Sequence, residues 1–159
     1  MSEKLKIWND QKSWNESELE WDDGAKKASE IQEIKKFQNK SYVCLAPASV
    51  WATKEAPESI WVKTISQTSQ KIQCFYLIGG PGDFDKCEKI KEAAKDREII
   101  NLCGKLNLRT SAALMKDASM NYVNDSAPLH FCTAVNAPVS ALFCSTLPSF
   151  GFTPLSDIS

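Results

Sequence analysis

A chain of 159 residues with a net charge of −1, 43% hydrophobic and 25% charged, has the composition of one globular domain with a sizeable core. The near-neutral balance supplies no basic face for nucleic acid, and no run approaches the roughly 20 apolar residues of a membrane span. Met1-Ser2-Glu3-Lys4 leads into no apolar core, so the start does not read as a secretory signal.

Residues 1–40 form a tryptophan-rich segment and linker helix, distinct from the domain expected over 41–159. Trp8, Trp14 and Trp21 are three of the five tryptophans, set among Lys, Glu, Asn and Ser. Such rings are costly to leave in water, so they are expected to dock on the domain or on a partner. Asp22-Asp23-Gly24 then opens a helical pattern with Ala28, Ile31, Ile34 and Phe37 on one face.

From Tyr42 the rhythm is regular. Tyr42 to Ala46 is an apolar run ending at Pro47, which predicts a buried strand. A helix is expected from about Pro57 to Thr68, with Ile60, Trp61, Thr64 and Ile65 facing inward. Cys74 to Ile78 is the second strand, closed by Gly79-Gly80-Pro81-Gly82, and Asp83 opens a helix to about Lys95. Ile99 to Leu102 is a third strand, followed by a helix from about Ser111 to Asp117. Met120 to Asn124, a helix from Ser126 to about Asn136, and Val139 to Phe143 complete the series. Apolar strands alternating with helices predict an α/β domain of three layers, with five or six strands in a mostly parallel sheet.

Six cysteines (Cys44, Cys74, Cys87, Cys103, Cys132 and Cys144) form no Cys-x-x-Cys pair. Most lie in or beside apolar runs, and one histidine cannot complete a zinc site. Buried, reduced thiols in a cytoplasmic protein are the expectation, with no metal.

Ligands of parallel sheets bind at the carboxyl ends of the strands. The polar and glycine-rich turns fall at those ends. Asp125-Ser126 stands where a helix begins, with His130, the single histidine, a turn further on. Unpaired N–H groups and the helix dipole at such a start suit a phosphate. The alternatives are that Asp125 or Ser126 is an N-cap and that His130 only packs. Thr53 and Lys54, after the first strand, offer a hydroxyl and an ammonium to phosphate oxygens, unless Lys54 is a solvated surface lysine. Asp83, after the glycines, offers a carboxylate to ribose hydroxyls, unless it is a helix cap.

Taken in order, these segments resemble the ADP-heptose:lipopolysaccharide heptosyltransferase family, glycosyltransferase family 9. The matching run is Pro47-Ala48-Ser49, Thr53-Lys54, Pro57, Leu77-Ile78-Gly79-Gly80-Pro81 and Asn101-Leu102-Cys103-Gly104-Lys105. Asn124-Asp125-Ser126-Ala127-Pro128-Leu129-His130 and Ala137-Pro138-Val139 with Leu142-Phe143 and Thr146 follow. The order and spacing agree over roughly residues 42–154, and the Asp-Ser-x-Pro-x-His element with its Pro-Val-x-Ala-Leu-Phe is the specific part.

The resemblance implies a Rossmann-like domain, the donor-binding half of a GT-B architecture, taking an ADP-sugar and no cofactor. It implies that Thr53 and Lys54 contact the diphosphate, that Asp83 meets the ribose, and that Leu106 lies in the segment lining the adenine. Asp125, Ser126 and Ala127 would form the phosphate and sugar cradle, with His130 beside it. Four residues at three places depart from the family pattern: Glu55-Ala56 stands for Arg-Trp, Ala127 for glycine, and Phe143-Cys144 for Phe-Gly. A negative Glu55 beside Lys54 is expected to weaken anion binding.

The resemblance further implies that the acceptor-binding half, with the catalytic base, is a separate N-terminal domain outside this chain. A lipopolysaccharide-core-like acceptor would be met through that domain, which leaves room for peripheral membrane association of the full enzyme. This chain alone is then expected to be inactive. Two other readings stay open: a degenerate, non-catalytic binding or interaction module of the same fold, and an unrelated flavodoxin-like or Rossmann-like enzyme.

Overall fold

The computed structural model describes residues 27, 31–36, 40–150 and 153–159. The tryptophans at positions 8, 14 and 21, and the linker-helix positions 28 and 37, lie outside the described residues. A short helix α1 (Gln32–Lys35) precedes strand β1 (Tyr42–Ala46). There follow α2 (Glu58–Gln67), β2 (Cys74–Leu77), α3 (Phe84–Ala93), β3 (Ile99–Asn101), α4 (Leu108–Lys116), β4 (Met120–Asn124), α5 (Ala127–Ala134) and β5 (Val139–Leu142). Single 3-10 turns lie at Ala52–Lys54, Pro81–Asp83 and Pro148–Phe150.

The five strands form one sheet in the order β3-β2-β1-β4-β5, and every pairing is parallel. The chain winds outward from β1 through β2 to β3, then crosses back to add β4 and β5 on the other side. The order therefore reverses between β1 and β4, and the crevice at their carboxyl ends is the switch point of the sheet.

Side-chain alternation along the strands divides the core in two. Cys44 and Ala46 of β1, with Tyr76 of β2, face Leu114 and Met115 of α4 and Leu129 and Cys132 of α5. Val43 and Leu45, with Phe75 and Leu77, face Trp61 and Ile65 of α2 and Cys87 and Ile90 of α3. Strands buried on both faces have no polar side to show, which is why β1 and β2 read as continuous apolar runs. Trp61 is fully buried, and its indole N–H donates to the Ala56 carbonyl at 3.1 Å.

Several boundaries differ from expectation for identifiable reasons. Helix α4 begins at Leu108 rather than Ser111, because the Asn107 side chain caps it by accepting the Thr110 N–H at 2.8 Å. Helix α5 stops at Ala134, because Asn136 takes the left-handed conformation with φ of 51°. Ile60, expected inward, is 39% exposed; Trp61 and Ile65, one turn apart, carry the buried face of α2. The six cysteines are free thiols, five of them buried and Cys144 exposed.

The turn after β2 is set by close approach. A Cβ at Gly79 would stand 2.8 Å from Asp83 Oδ2 and 3.0 Å from Cys103 Sγ. Gly104, with φ of 74°, packs on Pro81, and its N–H donates to the Gly79 carbonyl at 3.0 Å. Gly79→Ala should therefore destabilise the fold by about 1–3 kcal/mol in urea unfolding. Gly82→Ala, where a Cβ meets nothing within 4 Å, should stay within about 0.5 kcal/mol of the parent. Equal stabilities for the two variants would contradict this packing.

Candidate functional site

At the switch point lies a crevice of about 540 Å³, walled by residues 48–50 after β1, the 79–83 turn after β2, 106–108 after β3 and 126–128 after β4. Ile78, Leu106 and Phe131 make much of the wall apolar, while Ser49, Asp83 and Ser126 add polar groups. Two braces hold these loops. Asn124, fully buried at the end of β4, accepts the Ala56 N–H at 3.0 Å and donates to the Pro47 carbonyl at 2.8 Å. Asn101, at the end of β3, donates to the Phe84 carbonyl and accepts the Cys103 N–H, tying α3 to the turn that follows β3.

The charged centre sits beside this wall. The Asp125 carboxylate is 4% exposed. Its Oδ2 accepts from Lys54 Nζ at 2.8 Å and from the Thr146 hydroxyl at 2.8 Å. Burial pushes the Asp125 pKa up, but the hydrogen bonds from Lys54 and Thr146, with the nearby charges of Lys54 and His130, outweigh it. The carboxyl is held below its ordinary range. Asp125 thus stays ionised, and Lys54 is fixed in place by a charge-assisted bond.

Each residue singled out in the sequence has a definite place. Asp83, Leu106, Ser126 and Ala127 line the crevice, whereas Lys54 and Asp125 are joined to each other next to it. Thr53 and His130 are exposed and line no part of it, although His130 is near enough for its charge to act on Asp125. Asp83 Oδ2 accepts the Gly80 N–H at 2.7 Å, so the carboxylate closes its own turn. Ser126 is the N-cap residue of α5, yet its side chain makes no capping bond; its hydroxyl instead faces the Asn124 carbonyl at 3.4 Å. Pro128, at the start of α5, has no N–H, so this helix offers one donor fewer than most.

The partners of Thr146, Glu55 and Lys86 were not evident from the chain alone. Thr146 reaches Asp125 from beyond β5, and Glu55 accepts the Ser49 N–H at 2.9 Å while pairing with Lys86 of α3. Ser49 and Glu55 are six residues apart, but the ion pairs and the Thr146 bond join residues 21 to 71 positions apart, so no local spacing signals them. Among the described residues, no group of three or more His, Cys, Asp or Glu is placed to hold a metal ion, and no helix is long and apolar enough to cross a membrane.

Residues 4–157 match the family model of glycosyltransferase family 9 (heptosyltransferase). The chain belongs to that family. It is 37% identical over 84 residues to lipooligosaccharide heptosyltransferase 2 of Haemophilus influenzae, a match covering 51% of this chain and 24% of that relative. The ADP-heptose lps heptosyltransferase II of E. coli superposes with a TM-score of 0.68 at 22% identity, over 88% of this chain and 41% of the other. A family 9 glycosyl transferase from Veillonella parvula gives a TM-score of 0.73 at 20% identity, over 88% and 40%. This family member thus spans about two fifths of the length of these structures and shares the Rossmann-like fold of one half of their GT-B architecture.

The Asp125 environment fixes a pH dependence. A carboxyl whose folded pKa lies below its unfolded value of about 3.9 adds stability above that value, and the contribution is lost as pH falls through the folded pKa. Asp125→Asn should cost about 1–3 kcal/mol at pH 7. It should also flatten the loss of stability on acidification from pH 5 downward. An unchanged acid profile in the variant would remove Asp125 from the account.

Proposed function

We propose that this chain is the nucleotide-sugar donor-binding half of a lipopolysaccharide heptosyltransferase-like glycosyltransferase. It takes an ADP-heptose-like donor in the switch-point crevice, in the cytoplasm. The observation that carries this reading is the placement, at one switch point, of an apolar wall next to a lysine clamped by a buried carboxylate. A nucleoside diphosphate needs that combination: apolar surface for the base and a fixed cation for the phosphates. Among the structures of this fold is an E. coli heptosyltransferase solved with ADP, whose TM-score is 0.63 at 19% identity.

In this reading Leu106 borders the adenine, Asp83 faces the ribose, and Lys54, with Thr53 and the start of α5, meets the diphosphate. Asp125 aims the lysine, and Ser126 and Ala127 shape the backbone beside the sugar. His130 stands beside this cradle rather than in the crevice wall. Glycosyl transfer with inversion needs a base for the acceptor hydroxyl and a cation or dipole for the departing diphosphate. The groups assembled here serve the second need. The base and the lipopolysaccharide-core-like acceptor belong to the other half of the GT-B pair.

Calorimetry on the chain should give ADP binding between tens of micromolar and millimolar, about 4–6 kcal/mol. Lys54→Ala should weaken ADP binding about tenfold, the loss of one charge-assisted bond of about 1.5 kcal/mol, and leave adenosine binding unchanged. Because that variant strips Asp125 of its cation, Lys54→Ala/Asp125→Asn serves as the folded control and should show the same selective loss. No ADP binding at millimolar concentration would favour the non-catalytic module. Robust sugar transfer by this chain alone would refute the division into halves.

A further inference from the structure

A second lysine, Lys86, is tied through Glu55 to Ser49 in the crevice wall. Glu55 directly follows the Ala52–Lys54 turn, one residue after Lys54. One of its carboxylate oxygens accepts the Ser49 N–H at 2.9 Å, and the other accepts from Lys86 Nζ on α3. Ser49 lines the crevice, and Lys86 lies on the helix that the 79–83 turn leads into. A backbone N–H and an ammonium converging on the two oxygens of one anion form the donor set that a phosphate oxygen pair accepts. The groups are not deeply buried: the side chains of Lys86 and Glu55 are 26% and 19% exposed.

We propose that the Ser49 N–H and Lys86 form an oxyanion site at the crevice rim, suited to a phosphate group, and that Glu55 fills this site from within the chain. The protein then binds a diphosphate less tightly than its cations allow. Lys54 and Lys86 are each paired internally, Lys54 with Asp125 and Lys86 with Glu55, but the pairs differ in kind. Asp125 is buried and braced by Thr146 as well, so its pairing orients Lys54. Glu55 is partly open to water and can be displaced or removed without leaving a buried charge behind. Burial raises the Glu55 carboxyl pKa, but Lys86 and the Ser49 N–H more than reverse this, so Glu55 remains an anion throughout the neutral range. Acidity near neutrality does not open the site; only a competing oxyanion or a change of residue does.

The proposal deepens the donor-site reading, and its test is separable from it. Binding of inorganic pyrophosphate is measured by calorimetry on the parent chain, Glu55→Gln and Glu55→Gln/Lys86→Gln, with circular dichroism to confirm folding and ADP titrated into the parent alongside. Glu55→Gln should bind pyrophosphate at least fivefold more tightly than the parent, and the double variant should lose that gain. No gain in folded Glu55→Gln, or a gain that survives the loss of Lys86, overturns the proposal. Should Glu55→Gln not fold, Lys86→Gln decides the matter. With its partner gone, Glu55 stands as an uncompensated charge at the rim, so pyrophosphate binding should fall at least threefold; unchanged binding overturns the proposal. The ADP titration into the parent speaks to the donor site alone, whichever way the pyrophosphate series falls.

Discussion

An ionised carboxylate removed from water must be paired, and the Asp125 carboxylate at the end of β4 is almost wholly removed. Its two partners come from distant parts of the chain: Lys54 from the turn after β1 and Thr146 from the segment after β5. Satisfying one buried charge therefore draws three loops to a common point at the switch of the sheet. Removing any partner leaves the carboxylate short of a donor, so the cost falls on loop geometry as well as on the pair. Asn124, next to it in sequence, reinforces the arrangement by using both ends of its amide to hold the backbone of the β1 loop. The β1 side of the crevice is thus held against the end of β4.

This geometry gives the site a particular electrostatic character. Lys54 is directed by its carboxylate, and Lys86 is engaged by Glu55, so both cations already have partners. A bound diphosphate would add a third member to such a pair rather than meet a bare charge, and the gain in energy is smaller for that reason. Affinity should then rest substantially on the apolar wall formed by Ile78, Leu106 and Phe131. The tight turn at Gly79 matters here because it brings backbone and Asp83 to the crevice edge with no side chain between them.

The fold was legible because parallel strands buried on both faces leave continuous apolar runs, and Tyr42–Ala46 and Cys74–Leu77 show them plainly. The errors are local competitions. Asn107 captured the start of α4 with a side-chain cap, and Ile60, next to Trp61, fell on the outer side of the helix. The crevice position followed from the switch-point rule, and Asp83, Leu106, Ser126 and Ala127 all stand along it. The pairing within the site was not legible. Lys54 and Asp125 are 71 residues apart, and Lys86 reaches Glu55 across 31, distances at which a sequence carries no sign of contact. Asp83 and Asp125 look alike as acidic residues after strands, yet one caps its own turn and the other clamps a lysine.

Amide chemical-shift mapping of the isotopically labelled chain with ADP tests most directly whether the switch-point crevice is the donor site. The account predicts that the largest perturbations cluster in three segments: residues 48–54 after β1, the 79–83 turn after β2, and the start of α5 from Ser126. Shifts concentrated elsewhere on the fold, with these three segments unmoved at saturating ADP, would contradict it.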